Sequence, residues 1–150
     1  MERWYRVFGG DAPCTVEDLV TVLRAAGYEA SAHVQADAAG WFRVEFTFTD
    51  GVSIALDRYR ADEDGIRAEL NSWAAWVETH GDDALHTRLM ERLIQTAQLF
   101  MLVADSDITD RRCEVLIGFV AARTGGVYQI DGRGLFADET LIIEESEPEA

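Results

Sequence analysis

Cys14 stands directly before Thr15, and Thr15 with Glu17 and Asp18 behind it has the form of a helix start. A thiol at a helix N-terminus has a lowered pKa, so this is where the chain would place a thiolate nucleophile. Such chemistry also needs a base in reach, and His33, His80 and His86 show no spacing that supplies one. A small packed cysteine is the better account of Cys14, and Cys113, on a helical apolar stripe, reads as packing. Metal chemistry fares no better. His80-Gly81-Asp82-Asp83-Ala84-Leu85-His86 matches no standard zinc or calcium spacing, and Asp82-Asp83 serves equally as a helix N-cap. Asp105-x-Asp107-x-Thr109 opens like a calcium loop, but Asp110 stands where the loop needs glycine and Leu116 where it needs glutamate. Gly125-Gly126 and Gly132-x-Gly134 follow a helix or join strands, whereas a phosphate cradle precedes a helix. The acidic runs Asp62-Glu63-Asp64 and Glu144-Glu145 have no partner that would keep one carboxyl protonated for acid catalysis. The expectation is therefore no catalytic, cofactor-binding or metal-binding residue, and no cofactor.

Four residues are candidates for interaction instead. Trp73 shares a helical stripe with Ile66, Leu70 and Val77, while Trp76 falls about 80° off its centre. A tryptophan at that flank can anchor a partner, although a core-edge role is the plainer account. Arg58 and Arg60, with Tyr59 between them at a strand end, could hold an anion. The plainer account is that they balance the acids at 62–64.

The elements that must position these residues read as α+β. A short strand over 4–8 ends at Gly9-Gly10, and a helix capped by Thr15 ends at Gly27. A weaker strand follows over 28–35. From Trp41 to Tyr59 apolar residues alternate on both sides of Asp50-Gly51. A two-residue turn there would set Phe48 and Phe46 on the opposite face from Val52 and Ile54. A three-residue loop, Thr49-Asp50-Gly51 with Gly51 left-handed, pairs Phe48 with Val52, Phe46 with Ile54, Val44 with Leu56 and Arg43 with Asp57. Helices are expected after Asp62-Glu63-Asp64 and over 83–92, then a strand beginning near Ile94 or Thr96. A helix over 110–124, capped by Thr109 or Asp110 and stopped by Gly125-Gly126, is apolar nearly all round. It should lie between layers or at a subunit interface, so a homodimer is one expectation. A strand over 127–130 follows, Leu135-Phe136 and Leu141 to Glu144 close the fold, and the acidic end from about 145 should fray. The order is βαβββ-α(α)-βαββ, with the two ends as loose echoes of one unit. It predicts a single domain, an antiparallel or mixed sheet with helices packed on one face.

Composition narrows the partners. The chain has 150 residues, thirteen basic against 28 acidic, for a formal net charge of −15. All the basic residues are arginine. Such a surface repels phosphate backbones and anionic membranes, so neither nucleic acid nor membrane is an expected partner. A basic protein or cationic ligand is allowed. The N-terminus, Met1-Glu2-Arg3-Trp4-Tyr5, lacks the apolar stretch of a cleaved signal, and two isolated cysteines suit a reducing compartment. A cytoplasmic location is expected.

Three segments are distinctive: Glu69-Leu70-Asn71-Ser72-Trp73-Ala74-Ala75-Trp76-Val77-Glu78, Leu89-Met90-Glu91-Arg92 with Gln95-Thr96-Ala97-Gln98-Leu99-Phe100, and Gly126-Val127-Tyr128-Gln129-Ile130-Asp131-Gly132-Arg133-Gly134-Leu135-Phe136. From about Trp41 onward the chain resembles a family of uncharacterised bacterial proteins of similar length. That resemblance implies a stand-alone domain and no particular activity, cofactor or site. The leading functional expectation is a non-catalytic, acidic protein-binding or regulatory module of the immunity or adaptor kind. The alternative is a small-molecule binder or enzyme whose pocket gathers residues distant in sequence.

Overall fold

A computed structural model describes residues 2–145. The expected fraying beyond about 145 falls almost wholly outside them. The chain runs β1 (Arg3–Gly9), α1 (Val16–Ala25), β2 (Ala30–Asp37), β3 (Gly40–Phe48), β4 (Ser53–Arg60), α2 (Ile66–Glu78), α3 (Ala84–Ile94), β5 (Gln98–Ala104), α4 (Asp107–Thr124), β6 (Val127–Ile130), β7 (Gly134–Ala137) and β8 (Thr140–Glu144). The fold is α+β. Its eight strands form one antiparallel sheet in the order β2-β3-β4-β5-β1-β6-β7-β8.

The hairpin register follows the side-chain pattern. Gly51 is left-handed at φ 84°, Phe48 and Val52 are joined by a backbone hydrogen bond, and Phe46 pairs with Ile54 and Val44 with Leu56. Any shift by one residue would turn Phe46 and Phe48 to the face where Glu45 and Thr47 now stand. Arg43 lies opposite Asp57 and donates to it at 2.8 Å.

Helices cover both faces of the sheet rather than one. Tyr5, Val7, Phe100 and Leu102 pack with Leu19 and Leu23 of α1 and Leu116 and Val120 of α4. Their strand neighbours Phe8 and Leu99 pack on the opposite face with Leu70 and Val77 of α2 and Leu89 and Leu93 of α3. The cause is in β1 and β5, which are apolar at consecutive positions and so need cover on two sides. Strands β3 and β4 alternate, and their polar face needs none.

Three boundaries also move. Helix α4 begins at Asp107, capped by Ser106, whose hydroxyl accepts from Thr109 N–H while Thr109 Oγ1 accepts from Ser106 N–H. This reciprocal box satisfies two backbone donors, whereas Thr109 or Asp110 as cap would satisfy fewer. Helix α3 runs to Ile94, so β5 starts only at Gln98. The C-terminal end is βαβββ, because Leu135-Phe136 and Leu141–Glu144 are separate paired strands. Both halves thus read βαβββ. Much of the apolar surface of α4 is used inside the chain, against the sheet on one side and α1 on another, which is the first of the two placements its composition allowed.

Polar side chains tie down the N-terminal part of this helix. The Arg112 guanidinium lies 4.3 Å from the Phe48 ring centroid and 5.1 Å from that of Tyr28, and grips Asp50 through both nitrogens. The Tyr5 hydroxyl donates to Asp110, which also accepts from Arg3 at 3.0 Å. Burial, then Asp110, raises the Tyr5 phenol far above its ordinary range. Among the described residues, no helix is long and apolar enough to cross a membrane.

Candidate functional site

The interaction residues read from sequence are drawn mostly into structure. Arg58 donates through Nε to Gln98 Oε1 at 2.7 Å and through Nη1 to the Trp41 carbonyl at 3.0 Å. Gln98 in turn donates to the Gly10 and Ala12 carbonyls, both at 2.7 Å. Arg58 is therefore a strut joining β4, β5 and the loop after β1. Tyr59 packs on the opposite face, in the cluster with α2 and α3. Arg60 Nε lies 3.4 Å from Asp62. A depression of about 330 Å³ holds Arg58, Arg60 and Gln98, but Asp11 and Asp62 line it too, so its charge is mixed and no histidine enters it. Trp76 stands at the flank of α2, its ring 5.5 Å from Trp73 and 4.4 Å from His80, and shares no cavity with the arginines.

Burial governs both cysteines in this fold. Cys14 is buried, and burial followed by the nearby Asp18 pushes its thiol up to about 11, which outweighs the helix terminus beside it. Cys113 is fully buried and raised further, again mainly by burial. Native protein near neutral pH should thus leave both thiols unreacted with Ellman's reagent, and denatured protein should release two equivalents. Rapid labelling of either thiol in the folded state would refute this. Among the described residues, no three His, Cys, Asp or Glu side chains gather as a metal site.

The arrangement with binding character lies elsewhere, between α4 and the β6–β8 end of the sheet. Two adjoining cavities share Gly118 and Tyr128. The first, about 320 Å³, is lined by Gly118, Ala121, Ala122 and Gly125 of the α4 side and by Asp138 and Glu139 of the β7–β8 turn. The second, about 200 Å³, continues past Ile117 and Phe136 to Glu114 and Arg133. Small residues on α4 create the space: a Cβ at Gly118 would meet nothing within 4 Å. Register creates the opposite wall. Tyr128 pairs with Phe136, and their rings stack 4.9 Å apart and 3° from parallel. Phe136 pairs in turn with Leu141, a large apolar side chain left 43% exposed.

The two ends of this groove differ in charge. At one, Arg133 donates to Glu114 at 2.7 Å and lies 3.6 Å from Asp110, so its charges are matched. At the other, no cation among the described residues lies within ion-pair distance of Asp138 or Glu139. That end also receives the C-terminus of α4, whose terminal carbonyls carry negative partial charge. The Tyr128 phenol is raised, first by burial and then by Glu139 and Glu114.

None of the groove residues was singled out from sequence as a site. One signal was there to be used: Gly118 interrupts a long helical pattern, where glycine costs about 1 kcal/mol against alanine and invites a packing or binding reason. The pairing that stacks Tyr128 on Phe136, and the turn that carries the acids toward α4, are tertiary. No protein-family model, curated protein or solved structure matches the chain.

Proposed function

We propose that this chain is a non-catalytic protein-binding module that takes a basic polypeptide along the groove between α4 and β6–β8. One observation carries the reading: a strip of small α4 residues and a stacked aromatic pair form an open apolar channel with unmatched acids at one end. Apolar walls with a few polar groups at the rim are what a recognition cleft uses. The net charge of −15 favours encounter with a basic partner and disfavours nucleic acid. Acting as a small regulatory or adaptor domain of the bacterial family it resembles, inside the cytoplasm, completes the reading.

The small-molecule alternative has the Arg58–Arg60 depression as its best site. It is weaker there, because Arg58 is already bound to Gln98 and Trp41 and two carboxylates share the lining.

The test is site-directed photocrosslinking in the native host. A benzophenone amino acid at Leu141, a half-exposed apolar position paired with Phe136, should give a discrete adduct with one polypeptide, competed by salt, while the same group at Ser53 on the distant polar face should not. Equal adducts at both positions, or none at Leu141, would reject the reading.

A further inference from the structure

We infer that the mixed apolar and acidic end of the groove is an arginine pocket, holding one guanidinium of the protein partner; this rests on the reading that the groove is the contact face. Ala137 pairs with Thr140, so Asp138 and Glu139 form a two-residue hairpin turn, and both have positive φ, 51° and 65°. Such a turn is made most easily by Asn-Gly, and glutamate is a poor occupant of the left-handed region. Two acids are kept where uncharged residues would fit the backbone better, and both line the cavity.

Everything else in that cavity suits a guanidinium on an aliphatic stem. Gly118, Ala121 and Ala122 leave a smooth floor for the methylenes. The Tyr128 ring, backed by Phe136, offers a face for the planar cation. The carboxylates of Asp138 and Glu139 can accept its forked N–H groups, which a lysine ammonium cannot match in geometry. The chain's own neighbouring arginines have partners other than Asp138 and Glu139, and Arg92 already meets the carbonyl end of α4. Arg133 serves Glu114, Arg123 lies 3.5 Å from Asp18 and donates to the Pro13 carbonyl, and Arg92 donates to the Gly125 carbonyl.

The probe is a blocked pentapeptide, Ala-Ala-Arg-Ala-Ala, titrated into the full chain and followed by amide chemical shifts. A second peptide carries citrulline, which has the same shape without the charge. The arginine peptide should shift the amides of Gly118, Gly125 and Tyr128, and citrulline should bind at least about tenfold more weakly. Asp138→Asn combined with Glu139→Gly should lose the same factor, while its melting temperature stays level or rises because the turn is relieved. Gly118→Leu should also abolish the shifts by filling the floor, in a helix that tolerates leucine better than glycine. Equal binding of citrulline, shifts mapping elsewhere, or full binding by the turn variant would overturn the pocket. If a Leu141 crosslink persists in that case, the groove reading survives without it. Conversely, loss of the crosslink with specific arginine binding retained would remove the protein partner and leave the pocket.

Discussion

Phe100→Ala is expected to destabilise the fold by about 3–5 kcal/mol, the range for truncating a fully buried phenylalanine. Phe100 is 0% exposed in β5, between β4 and β1 at the middle of the sheet. Its ring lies 6.0 Å from that of Trp41 and against Gly9. These neighbours are backbone-anchored in two other strands, β3 and β1, so they cannot collapse far into the void. A domain of this size has on the order of 5–15 kcal/mol in total, so the variant would keep a fraction of its stability. Urea denaturation should show the midpoint falling by roughly 2 M at an m-value of about 2 kcal/mol/M. Leu141→Ala is the control: a half-exposed edge residue should move stability by no more than about 0.5 kcal/mol. A midpoint shift for Phe100→Ala no larger than that of the control would contradict the packing described for this face.

Gly134→Ala should detach the last strand. Gly134 has φ 134°, a conformation that costs an L side chain on the order of 1–3 kcal/mol. An added Cβ would also stand 1.9 Å from the Ile143 carbonyl oxygen, a backbone atom of β8 that cannot swing aside. The clash is relieved only by breaking the β7–β8 ladder where Gly134 pairs with Glu144 and Leu135 with Ile143. Hydrogen exchange should then lose protection at Leu141 and Ile143, while Tyr5, Val7 and Leu102 in the central strands stay protected. Because the turn that closes this ladder carries Asp138 and Glu139, the same variant should lose the arginine peptide. Retained protection at Ile143 would show that the hairpin tolerates the methyl group, against the geometry seen here.

Local patterns made much of the fold legible. Alternation over 42–48 and 52–56, together with the requirement that both apolar sets share a face, selected a three-residue hairpin and its register. Thr15 and Asp83 read as caps because each offers an oxygen to an N–H three residues on. The stripe Cys113, Leu116, Ile117 and Val120 is buried as its spacing required. Arg58 and Arg60, by contrast, were visible as a charged strand end but not as a strut and its neighbour. The difference lies in Gln98, forty residues away, and in the loop carbonyls of Gly10 and Ala12.

What the residues dictate unaided is class, local register, caps and the sign of the surface: a strongly acidic α+β chain. These follow from periodicity and from contacts within a few residues, which any compact state must respect. Strand order, the covering of both sheet faces and the groove depend on the tertiary arrangement. Phe8 and Leu99 face α2 and α3 only because β1 and β5 lie side by side at the centre of the sheet. Asp138 and Glu139 meet the end of α4 only because β6 pairs with β1 and the next two strands extend the sheet past that helix. Contacts of that kind join segments far apart in the chain, and their free energy is set by shape and by which neighbours remain to be covered. The acidity is therefore general over most of the surface, and the fold gives it a place at one turn beside one helix end.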